Sequence, residues 1–433
     1  MKIKRYMVYL KRNGIKATIA RVMQKLSGLS GVTMNMNEIV PLNARADDCL
    51  GDRKRLNLVI HAVGNESFFG GVATALSFFQ KLYSTIDIDA RVILTNSYIS
   101  AGRPDALKGF EITDARSGSS APLQMMSVIE RDDDTFIPVG KNDIFIATAW
   151  WTAYIIYPLI KWQRETFNEE PHPLIYLIQD YEPGFYPWSS KYLLADSTYK
   201  NGHDTIAVFN SKFLHEFFKG RGYAFKHEYF FEPVLNETLR SCLLAAKPSV
   251  RKQQIIIYGR PSVARNAFEV IVASLRLWAK QQPDIHKWSI LSVGEKHANI
   301  VLAKGAILRS IGKLTLEDYA SLMLESYMGI SLMVSPHPSY PPLEMSTFGV
   351  RTITNRYDNK DLSGFNENII SLDNVNEYSI SLRLTHLATL YPGDAKPVTD
   401  TPYVRDAVDN NQIQEICKEI KGTIDAKESD NSV

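Results

Sequence analysis

Short apolar runs of strand length alternate with helical stretches along most of this chain, and they do so twice. Leu56–Val63 (LNLVIHAV), Ala90–Thr95, Asp143–Ala149, Leu174–Gln179, Thr205–Phe209 and Glu228–Phe231 read as strands, with a helix from Val72 to Tyr83 and helical stretches between several others. A second set opens with strand Gln254–Tyr258 and helix Asn266–Gln281. It continues through strands Trp288–Val293 and Ala306–Ile311, helix Thr315–Ser326, and strands Met328–Val334, Val350–Thr354 and Ile369–Leu372. Strands that are apolar throughout are covered on both faces, and intervening helices supply the cover for a parallel sheet. Two such sets predict an α/β chain with two Rossmann-like doubly wound domains facing across a cleft. Sheets of this kind bind ligands beyond the carboxyl ends of their strands. The 433 residues are comfortable for two domains.

The expected organisation is a basic helical extension and wrapping loop over 1–55, a first Rossmann-like domain over 56–235, and a hinge over 236–253. A second Rossmann-like domain follows over 254–400, then a C-terminal helix (about Gln412–Lys421) returning to the first domain and a loose tail, within 401–433. Net charge is only +2, which gives no reason to expect a nucleic-acid partner. The charge is uneven, however. Lys2, Lys4, Arg5, Lys11, Arg12, Lys16, Arg21 and Lys25 stand in a stretch without an acid, and Ile15, Ile19, Val22 and Leu26 fall at helical spacing. Residues 1–28 therefore suit either an anionic membrane surface or docking on the protein itself. The uncharged stretch Ile144–Ile160 is short for a membrane span and reads as a buried strand entering a buried helix. Cys49, Cys242 and Cys417 are too few and too far apart for a disulfide framework or zinc site, so a reducing cytoplasm is the expected compartment.

Chemistry concentrates at strand ends. In Tyr258-Gly259-Arg260-Pro261-Ser262-Val263-Ala264-Arg265-Asn266 a strand ends, a glycine turns, and two arginines precede a helix. Guanidinium forks and helix-start amides are what a pyrophosphate requires, although the same residues also suit a solvated loop. In Ser335-Pro336-His337-Pro338-Ser339-Tyr340-Pro341-Pro342-Leu343-Glu344-Met345 a proline-stiffened loop leads into a helix opening near Leu343 and Glu344. Glu344 can accept both hydroxyls of a ribose, or can simply favour a helix dipole. Gly70 and Gly71, after the first strand, allow backbone to approach a ligand or merely make a turn. Asp180 and Glu182 follow the strand Leu174–Gln179, and either suits acceptor binding or proton transfer. The aromatics Tyr181, Phe185, Tyr186 and Trp188 suit sugar faces or packing. Asp132-Asp133-Asp134 fits an Asp-x-Asp metal pattern, but it sits in a charged, loop-like stretch.

The second half resembles the nucleotide-binding domain of GT-B glycosyltransferases, especially the retaining family 4. That family's Gly-Arg and following Lys on the donor pyrophosphate correspond to Gly259, Arg260 and Arg265, with arginine replacing lysine. Of its two glutamates with seven residues between them, Glu344 matches the second, on the ribose, whereas the first falls on Pro336. Within the family, YGRPSVARN and SPHPSYPPLEMSTFG are most similar to rhamnosyltransferases of S-layer glycan synthesis, over most of the chain from about Leu56. The resemblance implies retained configuration, dTDP-β-L-rhamnose as donor, and a growing rhamnan or other cell-surface glycan as acceptor, and a membrane role for residues 1–28 would make that acceptor lipid-linked. It implies no cofactor and no metal, with Arg260, Arg265, Lys313, Tyr340 and Glu344 at the donor nucleotide and phosphates. Arg260, Asp180 and Glu182 are the catalytic candidates. Transferases using UDP or GDP sugars, a sugar-nucleotide epimerase, and a catalytically inactive glycan-binding protein remain open alternatives.

Overall fold

The computed structural model describes residues 36–63, 70–99, 104, 107–129, 135–247, 250–393, 396–405 and 411–430. Met1–Val40 is a separate unit, within which a 3₁₀ turn at Asn37–Ile39 is described. The basic segment 1–28 and Asp132–Asp134 lie outside the described residues. Everything that follows concerns Pro41–Val433, which is one compact unit.

Two sheets organise that unit. The first comprises β2 (Arg55–Ile60), β3 (Asp89–Leu94), β4 (Glu111–Ile112), β5 (Leu123–Ser127), β7 (Asp143–Ala147), β8 (Leu174–Ile178), β9 (Thr205–Phe209) and β10 (His227–Phe230). Their order is β10-β9-β8-β7-β2-β3-β5-β4, and every pairing is parallel. The second comprises β11 (Lys252–Gly259), β12 (Ser289–Gly294), β13 (Ile300–Ala303), β14 (Ala306–Gly312), β15 (Ser326–Ile330), β16 (Arg351–Asn355) and β17 (Ile369–Leu372). Its order is β13-β14-β12-β11-β15-β16-β17, parallel except at the edge strand β13. The expected doubly wound architecture is what the structure has. The uncharged stretch at 144–160 divides into β7 and a helix, Trp150–Phe167. Among the described residues no helix is long and apolar enough to cross a membrane.

Each sheet is apolar on both faces, and each face has its own core. In the first sheet Leu56, Leu58 and Ile60 point to one side, against helix α1 (Gly71–Ile86), while Val59 packs on the other with Ile93, Phe145 and Ile156. In the second, Ile255 and Ile257 face Trp278 and Leu384, and Ile256 faces Leu343 and Met345.

Several segments differ from expectation, and strands β4, β5 and β13 stand where none was expected. Within the supposed wrapping loop, β1 (Asn43–Ala46) pairs in parallel with β6 (Phe136–Val139) as a separate two-stranded sheet. The supposed hinge contains a helix, Glu237–Ala245, capped by Asn236 and packed through Leu239 and Leu243 into the core around Ile256. The late helix is longer than expected, running from Asn411 to Asp430, so it takes in most of the supposed loose tail. Its stripe of Ile413, Ile416, Cys417, Ile420 and Ile424 is buried against α1 and the first sheet. Finally, the helix after the proline-rich loop opens at Tyr340, not near Leu343. Pro341 and Pro342 occupy its first turn, where a missing N–H costs nothing.

Candidate functional site

In each sheet the strand order reverses beside its central strand: between β2 and β7 in the first, and between β11 and β15 in the second. The loops leaving those carboxyl ends hold most of the sequence-predicted residues, as the geometry of doubly wound sheets requires.

On the first sheet, Gly70 turns the chain at φ 66°, a conformation costly for other residues, and Gly71 begins α1. A Cβ on Gly71 would stand 3.0 Å from the Gln179 side-chain oxygen, so the glycine turn lies directly against the end of β8. Asp180, next along, is 8% exposed. Its carboxylate accepts the Tyr181 N–H at 2.8 Å and the Ser335 hydroxyl from the second domain, and Arg265 Nε approaches to 3.5 Å. Burial raises its pKa despite Arg265 and Ser335.

Glu182 has a different position. Its carboxylate accepts the Trp150 N–H, occupying the amino end of helix Trp150–Phe167, and burial lifts its pKa to about 8. The surrounding aromatics divide. Tyr181 is core, against Phe217 and Phe218, while Phe185 lies under the Arg265 guanidinium at 4.1 Å. The Tyr186 hydroxyl accepts from Trp150 Nε1 at 2.9 Å, and Trp188 stands 96% exposed, stacked on Tyr192.

On the second sheet, Gly259 ends β11 where a Cβ would collide with the Ser292 hydroxyl, so only glycine lets β11 and β12 close up there. Arg260 follows, within hydrogen-bonding reach of the Tyr258 hydroxyl. Glu295 accepts the Ser262 N–H at 3.1 Å and its hydroxyl at 2.6 Å, which fixes the arginine loop. Arg265 sits in the 3₁₀ turn Ala264–Asn266, and its carbonyl accepts the Val334 N–H at 2.8 Å. The arginine loop and the proline-rich loop are thereby joined. Lys313 is exposed just beyond the end of β14.

The proline-rich loop is braced from both sides. Ser335, while donating to Asp180, accepts the His337 N–H at 3.0 Å. Lys360 Nζ donates to the Met333 carbonyl at 2.7 Å, and burial brings this lysine down to about 7 despite Asp180 nearby. Tyr340 opens the helix beside Thr74 of α1. Glu344, one turn on, is partly buried next to the Tyr319 hydroxyl, and burial lifts it to about 7. Tyr258 feels Arg260, Glu344 and Arg265 together, so these three form one electrostatic group.

The structure thus sets Arg265 against Asp180, groups Arg260 and Glu344 around Tyr258, and brings Tyr340 to Thr74 of α1, the helix that begins at the Gly70–Gly71 turn. It sets Glu182 at the amino end of a helix and leaves Lys313 exposed just beyond β14. Sequence reasoning gave no role to Ser335, His337, Lys360, Tyr258 or Thr74. Ser335, His337 and Tyr258 lie in the two quoted motifs, and Lys360 has no local signal. Among the described residues no cluster of three or more His, Cys, Asp or Glu has the arrangement of a metal site.

Comparison with known proteins identifies the family. The family models "WsaF, N-terminal domain" and "WsaF, C-terminal domain" match residues 55–212 and 253–385. The O-antigen biosynthesis protein RfbC of Myxococcus xanthus is 30% identical over 230 residues, which is 53% of this chain and 16% of that protein. The chain therefore matches only a minor part of that relative's length. Among solved structures, sucrose-phosphate synthase from Thermosynechococcus elongatus superposes with a TM-score of 0.56 at 11% identity, covering 86% of this chain and 100% of the other. The UDP-forming α,α-trehalose-phosphate synthase from Burkholderia vietnamiensis gives 0.55 at 9% identity, covering 90% and 99%. At such identities the likeness is one of fold. The two family matches take in most of both sheets, with β10 outside them, and more than half of the chain, so the chain belongs to the WsaF family, on a GT-B glycosyltransferase fold.

Proposed function

We propose that the protein is a glycosyltransferase of polysaccharide biosynthesis that moves L-rhamnose from dTDP-β-L-rhamnose, with retention, onto a lipid-linked glycan. The observation that carries the transferase reading is the convergence of Arg260, Arg265 and Glu344 from one sheet with Asp180 and a glycine turn from the other. Family membership and the sequence motifs support the choice of donor. RfbC is an O-antigen biosynthesis protein, which supports a polysaccharide product.

In this reading the ribose hydroxyls donate to Glu344 and the diphosphate lies along Arg260 and Arg265. The anomeric C–O bond breaks with its electron pair passing to the β-phosphate oxygen. The acceptor hydroxyl oxygen bonds to the same face of the anomeric carbon, and its proton goes to the departing phosphate. The cations stabilise that phosphate without a metal. Loss of one such preorganised contact costs about 2.7–4 kcal/mol in the transition state. Asp180, bonded across the cleft to Ser335, ties catalysis to closure and the exclusion of water.

Calorimetric titration with dTDP, UDP, GDP and ADP tests the proposal, using Arg260→Ala and Glu344→Ala as controls. Preferential dTDP binding, lost in both variants, supports the donor site and leads to assay of rhamnosyl transfer. Binding of UDP or GDP instead reassigns the donor, and binding of none overturns the transferase reading.

A further inference from the structure

We infer that His337 recognises the hexosyl group of the donor, its Nε2–H donating a hydrogen bond to a sugar oxygen; the inference rests on the transferase reading. The imidazole is held in one state by the loop around it. The Ser339 N–H donates to His337 Nδ1 at 3.0 Å, which occupies that lone pair and puts the ring proton on Nε2. The His337 backbone N–H is itself held by Ser335 Oγ at 3.0 Å. His337 is 7% exposed, and among the described residues its Nε2 has no hydrogen-bond partner.

A buried donor without a partner costs about 1–3 kcal/mol, and native proteins keep few of them. This one is kept in a loop that is also strained, since Ser339 adopts φ 69° without being glycine. Strain and an unsatisfied donor in the same short loop, between the strand end and the helix carrying Glu344, are features of a preorganised binding site.

The chemistry of the neighbours selects the part of the ligand. Glu344 lies with Tyr258, Tyr319 and Arg260, and this end of the cleft takes the nucleoside. His337 belongs to the other end, where its charged neighbours are Lys360 and Arg265 and where Asp180 meets Ser335. A donor with its ribose at Glu344 and its diphosphate on the arginines places its sugar there. The ring is a neutral donor, because burial together with Lys360 and Arg265 brings it down to about 3. A neutral donor among cations adds little for a diphosphate, which the arginines already serve, but it matches a hydroxyl or ring oxygen. Access requires the two domains to part at Asp180 and Ser335, a hinge motion common in two-domain proteins.

The test compares dTDP with dTDP-β-L-rhamnose by calorimetry on the full chain, in wild type, His337→Phe and His337→Gln. His337→Phe keeps a planar ring and removes the donor; His337→Gln restores an N–H. Phenylalanine is expected to leave dTDP affinity within about twofold and weaken dTDP-rhamnose about tenfold, with glutamine recovering most of the loss. The wild-type preference for the sugar nucleotide is expected to stay constant from pH 6 to 8. Equal weakening of both ligands would make His337 a loop-shaping residue and overturn the inference, as would no weakening of either. Absence of dTDP binding by wild type would overturn the dTDP donor, and with it this assignment, before His337 is at issue.

Discussion

At the scale of single residues, the cleft is a place where burial and charge set protonation. Burial lifts Glu344 to about 7, with only the Tyr319 hydrogen bond opposing it. A raised acid is protonated below that value, so the acceptor form of Glu344 is lost as pH falls through 7. Nucleoside diphosphate affinity is accordingly expected to rise between pH 6 and pH 8. Glu344→Gln should remove the part of that rise that is not the nucleotide's own titration, as paired calorimetric series will show. Arg260, Arg265 and Glu344 were legible in the sequence because strand, glycine, loop and helix fix where such side chains emerge. Asp180 was legible as a strand-end acid, but its partner Ser335 lies 155 residues away, and no local pattern encodes that meeting. Lys360 illustrates the same limit. In Asn359-Lys360-Asp361 it reads as surface, yet it is fully buried, because its ammonium closes the backbone of a loop from another part of the sheet.

At the scale of elements, many of the long apolar strands were readable almost to the residue, since burial on both faces leaves an unbroken hydrophobic run, but Leu56–Val63 and Met328–Val334 overran strands that end at Ile60 and Ile330. Short strands were not. β1 and β6 hold four residues each and lie over a buried network in which Arg55 grips Asp143 at 2.8 and 2.9 Å and Asp47 at 2.9 Å. Arg91 joins the network through Asn57 at 2.7 Å and the Pro138 carbonyl at 2.8 Å, so charged groups stand where the pattern suggested only loop and strand edge. The C-terminal helix was underestimated because its exposed face is polar and its stripe is narrow. That stripe nevertheless completes a core. Ile420 is fully buried in it, and Ile420→Ala is expected to destabilise the protein by about 2–5 kcal/mol, measured by chemical denaturation.

At the scale of the whole molecule, several polar contacts join the domains among the described residues. Beyond Asp180 with Ser335 and Arg265, Asn359 donates to the Phe213 carbonyl at 2.8 Å and Arg221 pairs with Asp358 at 3.5 Å. Asp180→Asn weakens the most buried of these links. It is expected to increase the radius of gyration in small-angle scattering, and a saturating nucleotide diphosphate should restore compactness less completely than in wild type. An unchanged scattering profile would mean that Asp180 does not govern closure. The returning C-terminal helix has a consequence of another kind. The first sheet is synthesised early, but one face of it is sealed by Ile413–Ile424, which leave the ribosome only after the entire second domain. During translation, therefore, the second domain has all its parts before the first does, and the nascent first domain waits with an apolar flank that the helix following the second domain covers.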